Sequence, residues 1–474
     1  MPSSTCLRRF SQLSLDNASY APIASRNLLT TPQASCFSTS RARYANPTAR
    51  KGMVAPPKRG TKTLNVKKGK SAPGRDTGKR PAPGERKAMR KRIVLSNINA
   101  LEVRTLKDLD KANVLSKNNE GQVLGLPNEV VDALRAVEAF KTTQGWSLFR
   151  RPATLYRKET TEVAELIKQV EEAGEGQKKT IRRVLIGDRM SGKSTLLLQA
   201  LMMAFMRDWV VVNLPDAKDI VIAHTEYAPL PNSNPTQYTQ DAYTAALLSQ
   251  ISKANEAVLQ NLPVITNPTL PIALPSKSNL KQLADIGAAN PEASWPIFNA
   301  LWAELTKPGR PPLILAIDNL SHIMRHSAYL SADVKPIHAF DLTLISHFIS
   351  HLSGQTSLPN GGLVLAATTN SNSPSSPAME FSLEVAEKKR YGGEVPRWNP
   401  YKHVDERVTS VLRDVEVLKV GGLSKEEARC LLEYYAASGM VRGRVDEGYV
   451  GEKWSLAGMG NCGELERVAI RMRV

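Results

Sequence analysis

Five short apolar runs divide the second half of the chain, at 181–187, 209–214, 312–318, 362–368 and 415–420. Each has the length of a strand, and its apolar residues follow one another instead of alternating, the pattern of strands covered on both faces. Between them, apolar residues return every three or four positions. That spacing predicts helices over 193–206, 241–260, 279–307 with a break at Pro291, and 337–353. Strands alternating with helices predict a parallel five-stranded sheet with helices on both faces, an α/β fold. The segments 227–240 and 262–277, rich in Pro, Asn and Thr, predict surface insertions.

Outside this alternation the pattern is helical. At 126–140, Val130, Leu134, Val137 and Phe140 fall near a three-to-four spacing after Pro127 and Asn128, and a second helix is predicted over 161–172. Past the fifth run, 424–438 and 463–472 read as helices of a small lid. The body therefore divides into a helical N-terminal region (93–180), a central α/β domain (181–420) and a helical lid (421–474).

Charge changes the picture at the other end. The 474 residues carry 63 Lys and Arg against 45 Asp and Glu, a net charge of +18. All of the excess lies in residues 1–92, which hold 21 basic side chains and three acids, so the body is neutral. Residues 1–44 contain five Arg, no Lys and nine Ser, the composition of a mitochondrial transit peptide. Residues 45–92 have 16 basic residues, two acids and no aromatic ring, which predicts a disordered arm able to hold RNA through phosphates only. The longest apolar run, 196–206, is far short of the roughly 20 residues that cross a bilayer, so no membrane insertion is expected. Cys6, Cys36, Cys430 and Cys462 have no CxxC spacing, and two of them fall in the basic leader, which argues against both a zinc ribbon and a disulfide framework.

The strongest chemical signal is Gly187, Asp188, Arg189, Met190, Ser191, Gly192, Lys193, Ser194, which fits GxxxxGK[ST] between an apolar strand and an apolar helix. Glycines at both ends let the loop curl so that backbone N–H groups point at phosphate oxygens, reinforced by the positive end of the helix beginning near Thr195. Lys193 is the expected partner of the β- and γ-phosphates, and Ser194 the expected Mg²⁺ ligand. A second metal-holding group is expected in Asp318, which ends the strand 313–318. This layout resembles the additional-strand P-loop class that includes the AAA+ ATPases.

Hydrolytic members of that class follow the aspartate with a glutamate that polarises water. Asn319 stands there instead, and an amide cannot take a proton. Thr368, Thr369 and Asn370 could sense a γ-phosphate but cannot act as bases, and no Asn-Lys-x-Asp segment reads guanine. The residues point to nucleotide binding without fast turnover and leave the base, guanine or adenine, open. His347 and His351 read as an ordinary helix face, and 388–390 with Arg397 as a solvated loop.

The ordered set GDRMSGKS (187–194), DWVVVNLPDA (208–217), AIDNL (316–320), GGLVLAATTN (361–370) and LSKEEARCLLEYY (423–435) resembles the death-associated protein 3 family over roughly 120–474. NCGELER (461–467) looks like that family's Gly-Asn-Pro-x-Glu-Leu lid motif, from which Cys462 and Gly463 depart. The resemblance implies a non-enzymatic, GTP- or GDP-binding protein of the mitochondrial ribosome, in the head of the small subunit near the large subunit. It further implies small-subunit rRNA and ribosomal proteins as partners, and a nucleotide, with Mg²⁺, that serves as a structural ligand. The competing expectation is a mitochondrial AAA+-type ATPase that remodels a protein or RNA partner, with ATP as its nucleotide.

Overall fold

The computed structural model describes residues 93–471 apart from 175–177, 267–268, 276, 372 and 402–403. The transit peptide and basic arm expected at 1–44 and 45–92 lie outside the described residues.

Five parallel strands form the central sheet: β1 (Thr180–Ile186), β2 (Val210–Leu214), β3 (Leu313–Asp318), β4 (Gly362–Ala367) and β5 (Glu416–Lys419). Their order across the sheet is β5-β1-β4-β3-β2. β4 is thus inserted between the strand leading into the glycine-rich loop and the strand ending in Asp318, the topology of the additional-strand class. The connection leaving β1 runs toward the β2 edge and the one leaving its neighbour β4 runs the other way, toward β5, and the crevice at the carboxyl ends of two such strands is where α/β folds place ligands.

β2, β3 and β4 are buried at every position, which explains their unbroken apolar runs. Successive side chains still point to opposite faces. Val184, Val212, Leu315 and Val364 join a core with the helices α4 (Asp241–Ala254), α5 (Leu280–Ala289), α6 (Ser294–Leu305) and α7 (Thr343–Ser353). Leu185, Val211, Ile314 and Leu365 join a second core with α1 (Asn128–Ala136), α2 (Lys158–Glu172) and α3 (Lys193–Met206). α3 is apolar almost all round because it is covered on one side by the sheet and on the other by α1 and α2.

The break expected at Pro291 separates α5 from α6, and the helix expected over 337–353 begins only at Thr343, since Pro336–His338 pairs as a short strand with His326–Leu330. Region 93–180 is not helical throughout: Val123–Gly125 and Ala153–Leu155 form an antiparallel ribbon. Strands of three residues are too short to display a period in sequence. The basic trio at 388–390 is not a loop but the last turn of α8 (Pro377–Tyr391), where cations meet the negative end of the helix. Arg390 there pairs with Glu162 and Glu416.

Gln199 fastens the ribbon to α3. It is 2% exposed, its amide donates to Thr154 Oγ1 at 2.5 Å and to the Leu155 carbonyl at 2.8 Å, and it accepts from Thr160 Oγ1 at 2.8 Å. Gln199→Leu keeps the volume but leaves buried polar groups without partners, and is expected to destabilise the protein by about 2–3 kcal/mol in chemical denaturation. No measurable loss would show the three bonds to be dispensable.

Glu304 on α6 is a second buried polar centre, held by Lys307, Arg310, and the side chain and backbone N–H of Thr266. Burial alone would raise its pKa, but the hydrogen bonds from Lys307, Thr266 and the Ile265 N–H outweigh it and lower the pKa to about 2. A carboxylate with a lowered folded pKa stabilises above its unfolded value and loses that contribution as pH falls through the folded one. Unfolding free energy should therefore drop between the ordinary carboxylate value of 4.5 and about 2, and Glu304→Gln should flatten that part of the curve. An unchanged curve in the variant would count against this assignment.

Beyond α9 (Glu406–Leu412), the lid comprises α10 (Lys425–Ala437), α11 (Glu447–Leu456) and α12 (Cys462–Glu466). α10 starts with a capping box in which Ser424 Oγ accepts from the Glu427 N–H at 3.1 Å and Glu427 accepts from the Ser424 N–H at 2.8 Å. The second oxygen of Glu427 accepts from the Lys158 N–H at 3.1 Å, which docks the lid on the start of α2. Among the described residues no helix is long and apolar enough to cross a membrane.

Candidate functional site

The glycine-rich loop leaves β1 at Gly187 and enters α3 at Lys193, with left-handed backbone at Met190 (φ 61°) and Gly192 (φ 97°). At Gly187 a side chain is excluded: a Cβ would lie 2.4 Å from the Val420 carbonyl, and φ is +150°. The fold thus requires a glycine at the first position of the motif for close packing as well as for curvature.

Lys193 is buried, and its ammonium donates to the carbonyls of Gly187 at 2.7 Å and Asp188 at 2.6 Å. Burial pulls its pKa below the ordinary lysine value, opposed by the charges of Asp188 and Asp318. Ser191 is also buried, with no partner for its hydroxyl among the described residues. A curled loop, a buried ammonium bonded to backbone carbonyls and an unpartnered buried hydroxyl all fit polyphosphate oxygens. These groups line a cleft of about 760 Å³ together with Ser194, Thr195, Asp318, Asn319 and Thr368. The aromatic side chains of Trp146, Phe149 and Tyr435 form an apolar wall of the same cleft, with Phe149 and Tyr435 stacked on each other at 5.4 Å.

The structure brings every expected phosphate-site residue from Arg189 to Thr195 to this cleft, with Thr368 and Asp318. Asp188 contributes its carbonyl to Lys193. The Thr368 hydroxyl donates to the Leu185 carbonyl at 2.9 Å, clipping β4 to β1, while the Asn370 amide donates to the Gly187 carbonyl at 3.1 Å. Asn319 adopts left-handed backbone (φ 64°), which an asparagine tolerates, and its amide donates to Asp216 Oδ1 at 2.8 Å. His347 and His351 pack into the core against Trp302, at ring distances of 4.4 and 5.0 Å. Burial lowers their pKa values to about 3 and about 4, so both stay neutral at physiological pH.

Three supports lie outside the glycine-rich motif. Arg157, 7% exposed, donates to the Ser191 carbonyl at 2.8 Å and the Gly421 carbonyl at 2.7 Å and pairs with Glu159, so one guanidinium braces the loop against the chain leaving β5. Asn461 donates to the Arg189 carbonyl at 2.8 Å and the Gly463 N–H to the Met190 carbonyl at 3.0 Å, which sets the lid on the loop. A Cβ at Gly463 would meet the Met190 side chain at 2.8 Å, a packing reason for glycine here. Lys141, from the loop after α1, lies 3.3 Å from Asp318 Oδ2. These partners lie far apart in sequence, and only the resemblance at 461–467 could have drawn attention to any of them.

A family model described as mitochondrial ribosomal death-associated protein 3 matches residues 154–468, well over half of the chain. This chain belongs to the death-associated protein 3 family. Small ribosomal subunit protein mS29 of Neurospora crassa is 45% identical over 479 residues, covering 99% of each chain. The protein of the same name from Schizosaccharomyces pombe is 26% identical over 70% of this chain and 68% of its own. Among solved structures, a Walker-type ATPase of Pyrococcus abyssi aligns over 65% of each chain at a TM-score of 0.32 and 15% identity. The family is mitochondrial and ribosomal, so the mitochondrial location expected from the sequence is borne out. The matched span runs from the second strand of the ribbon through the loop and β3 to the lid helix α12, so the cleft lies within it apart from Val123, Ala153 and the 141–149 wall.

Proposed function

We propose that this protein is a structural constituent of the small subunit of the mitochondrial ribosome, and that it holds a guanine nucleotide, GTP or GDP, as a structural ligand. The observation that carries the ribosomal part is the end-to-end 45% identity with a small ribosomal subunit protein. The nucleotide part rests on the loop, the buried Lys193 and the cleft. Residues 187–195 with Thr368 take the phosphates, and Ser194 and Asp318 are the groups toward Mg²⁺. Small-subunit rRNA and neighbouring ribosomal proteins are the partners, with the large subunit reached from the subunit head.

The cleft binds rather than turns over. Asn319 occupies the place of the usual general base, and its amide is bonded to Asp216. A ligand that binds only the folded state adds about 4 kcal/mol of stability at a thousandfold excess over its Kd, enough to explain a site kept for structure alone. An epitope-tagged protein should sediment with the small mitochondrial subunit on sucrose gradients. Migration away from it would overturn the ribosomal assignment, and multiple ATP turnovers lost in Lys193→Ala would favour the remodelling ATPase.

A further inference from the structure

Lys141 reaches the end of β3 from outside the motif-bearing domain. Its ammonium lies 3.3 Å from Asp318 Oδ2 and donates to the carbonyl of Pro215, just beyond β2. The other Asp318 oxygen accepts from the Asn319 N–H at 2.8 Å. One oxygen of the carboxylate usually kept for a metal therefore accepts a hydrogen bond, and the other pairs with an ammonium, both supplied by the chain itself. The carboxylate is shielded from solvent, its side chain 4% exposed, while that of Lys141 is 23% exposed. A hollow of about 10 Å³ adjoins Lys141, Ser194, Asn213 and Asp318, about the size of one water. Asn213 is buried beside it, and its Oδ1 has no donor among the described residues.

In a P-loop site the divalent ion relieves the repulsion between phosphate oxygens and the strand-end carboxylate. A tethered ammonium supplies positive charge at the same place, with no cost of association. A divalent ion there must share Asp318 with a like charge a few ångströms away, which weakens its hold. We infer that Lys141 is the resident counter-ion of Asp318 and that the protein keeps its nucleotide when divalent metal is removed. This rests on the nucleotide-binding reading above.

The test titrates full-length protein with N-methylanthraniloyl-GDP in excess Mg²⁺ and in EDTA. The wild type should change its Kd by less than about threefold between buffers, whereas Lys141→Met should lose about tenfold or more in EDTA and much less in Mg²⁺. Lys141→Arg, which keeps a cation, should behave as the wild type, and it decides the matter with the wild type should Lys141→Met fail to fold. A wild-type loss of about tenfold or more in EDTA, or equal losses for Lys141→Met in both buffers, overturns the inference while leaving nucleotide binding intact. No binding by the wild type in either buffer overturns the nucleotide reading itself.

Discussion

Lys193→Ala should lose nucleotide by about two orders of magnitude in Kd, equivalent to about 2.7 kcal/mol. The Lys193 ammonium is the one buried cation within the glycine-rich loop, and it bonds only backbone carbonyls there, which phosphate oxygens can replace as acceptors. An alanine leaves the loop's N–H groups in place but removes the charge that offsets the β- and γ-phosphates. The variant should stay folded, because the Gly187 carbonyl keeps the Asn370 amide as a donor and Asp188 is exposed to water. Its melting temperature, unlike that of the wild type, should not rise on adding GDP. Equal thermal shifts in both proteins would place the nucleotide elsewhere.

Arg157→Ala should be the most destabilising single change near the site, at about 3–5 kcal/mol by equilibrium denaturation. One guanidinium satisfies the carbonyls of Ser191 and Gly421 and pairs with Glu159, which itself accepts from the Gly421 N–H at 3.0 Å. Its removal strands a half-buried carboxylate and two carbonyls at the junction of loop, α2 and lid. Arg157→Lys should recover only part of the loss, because a single ammonium cannot span the fork of contacts. A loss below about 1 kcal/mol for the alanine variant would show that the loop is braced by other means.

What could be read in the chain follows from the range of the interactions. β2, β3 and β4 announced themselves because burial on both faces demands unbroken apolar runs, and 187–194 because its chemistry is local in sequence. The capping box at Ser424 and Glu427 is likewise local. The sheet order was not written in any one segment, since it depends on which strands pair. Nor were the supports at Lys141, Arg157 and Asn461, whose partners are at Asp318, Ser191 and Arg189. Lys141 carries no local signal at all, being one lysine in a loop, and acquires meaning only when α1 and β3 are packed on either side of α3. Asn319 could be recognised as unfit for proton transfer, but its left-handed backbone and its bond to Asp216 required the fold.

The central claim is a guanine nucleotide held by a ribosomal subunit protein, and its most direct measurement is the nucleotide released from tagged protein recovered in the small-subunit fraction. Chromatography with mass detection should find stoichiometric GTP or GDP in the wild type and none in Lys193→Ala. An adenine nucleotide, an empty wild-type protein, or equal guanine nucleotide in both preparations would contradict it.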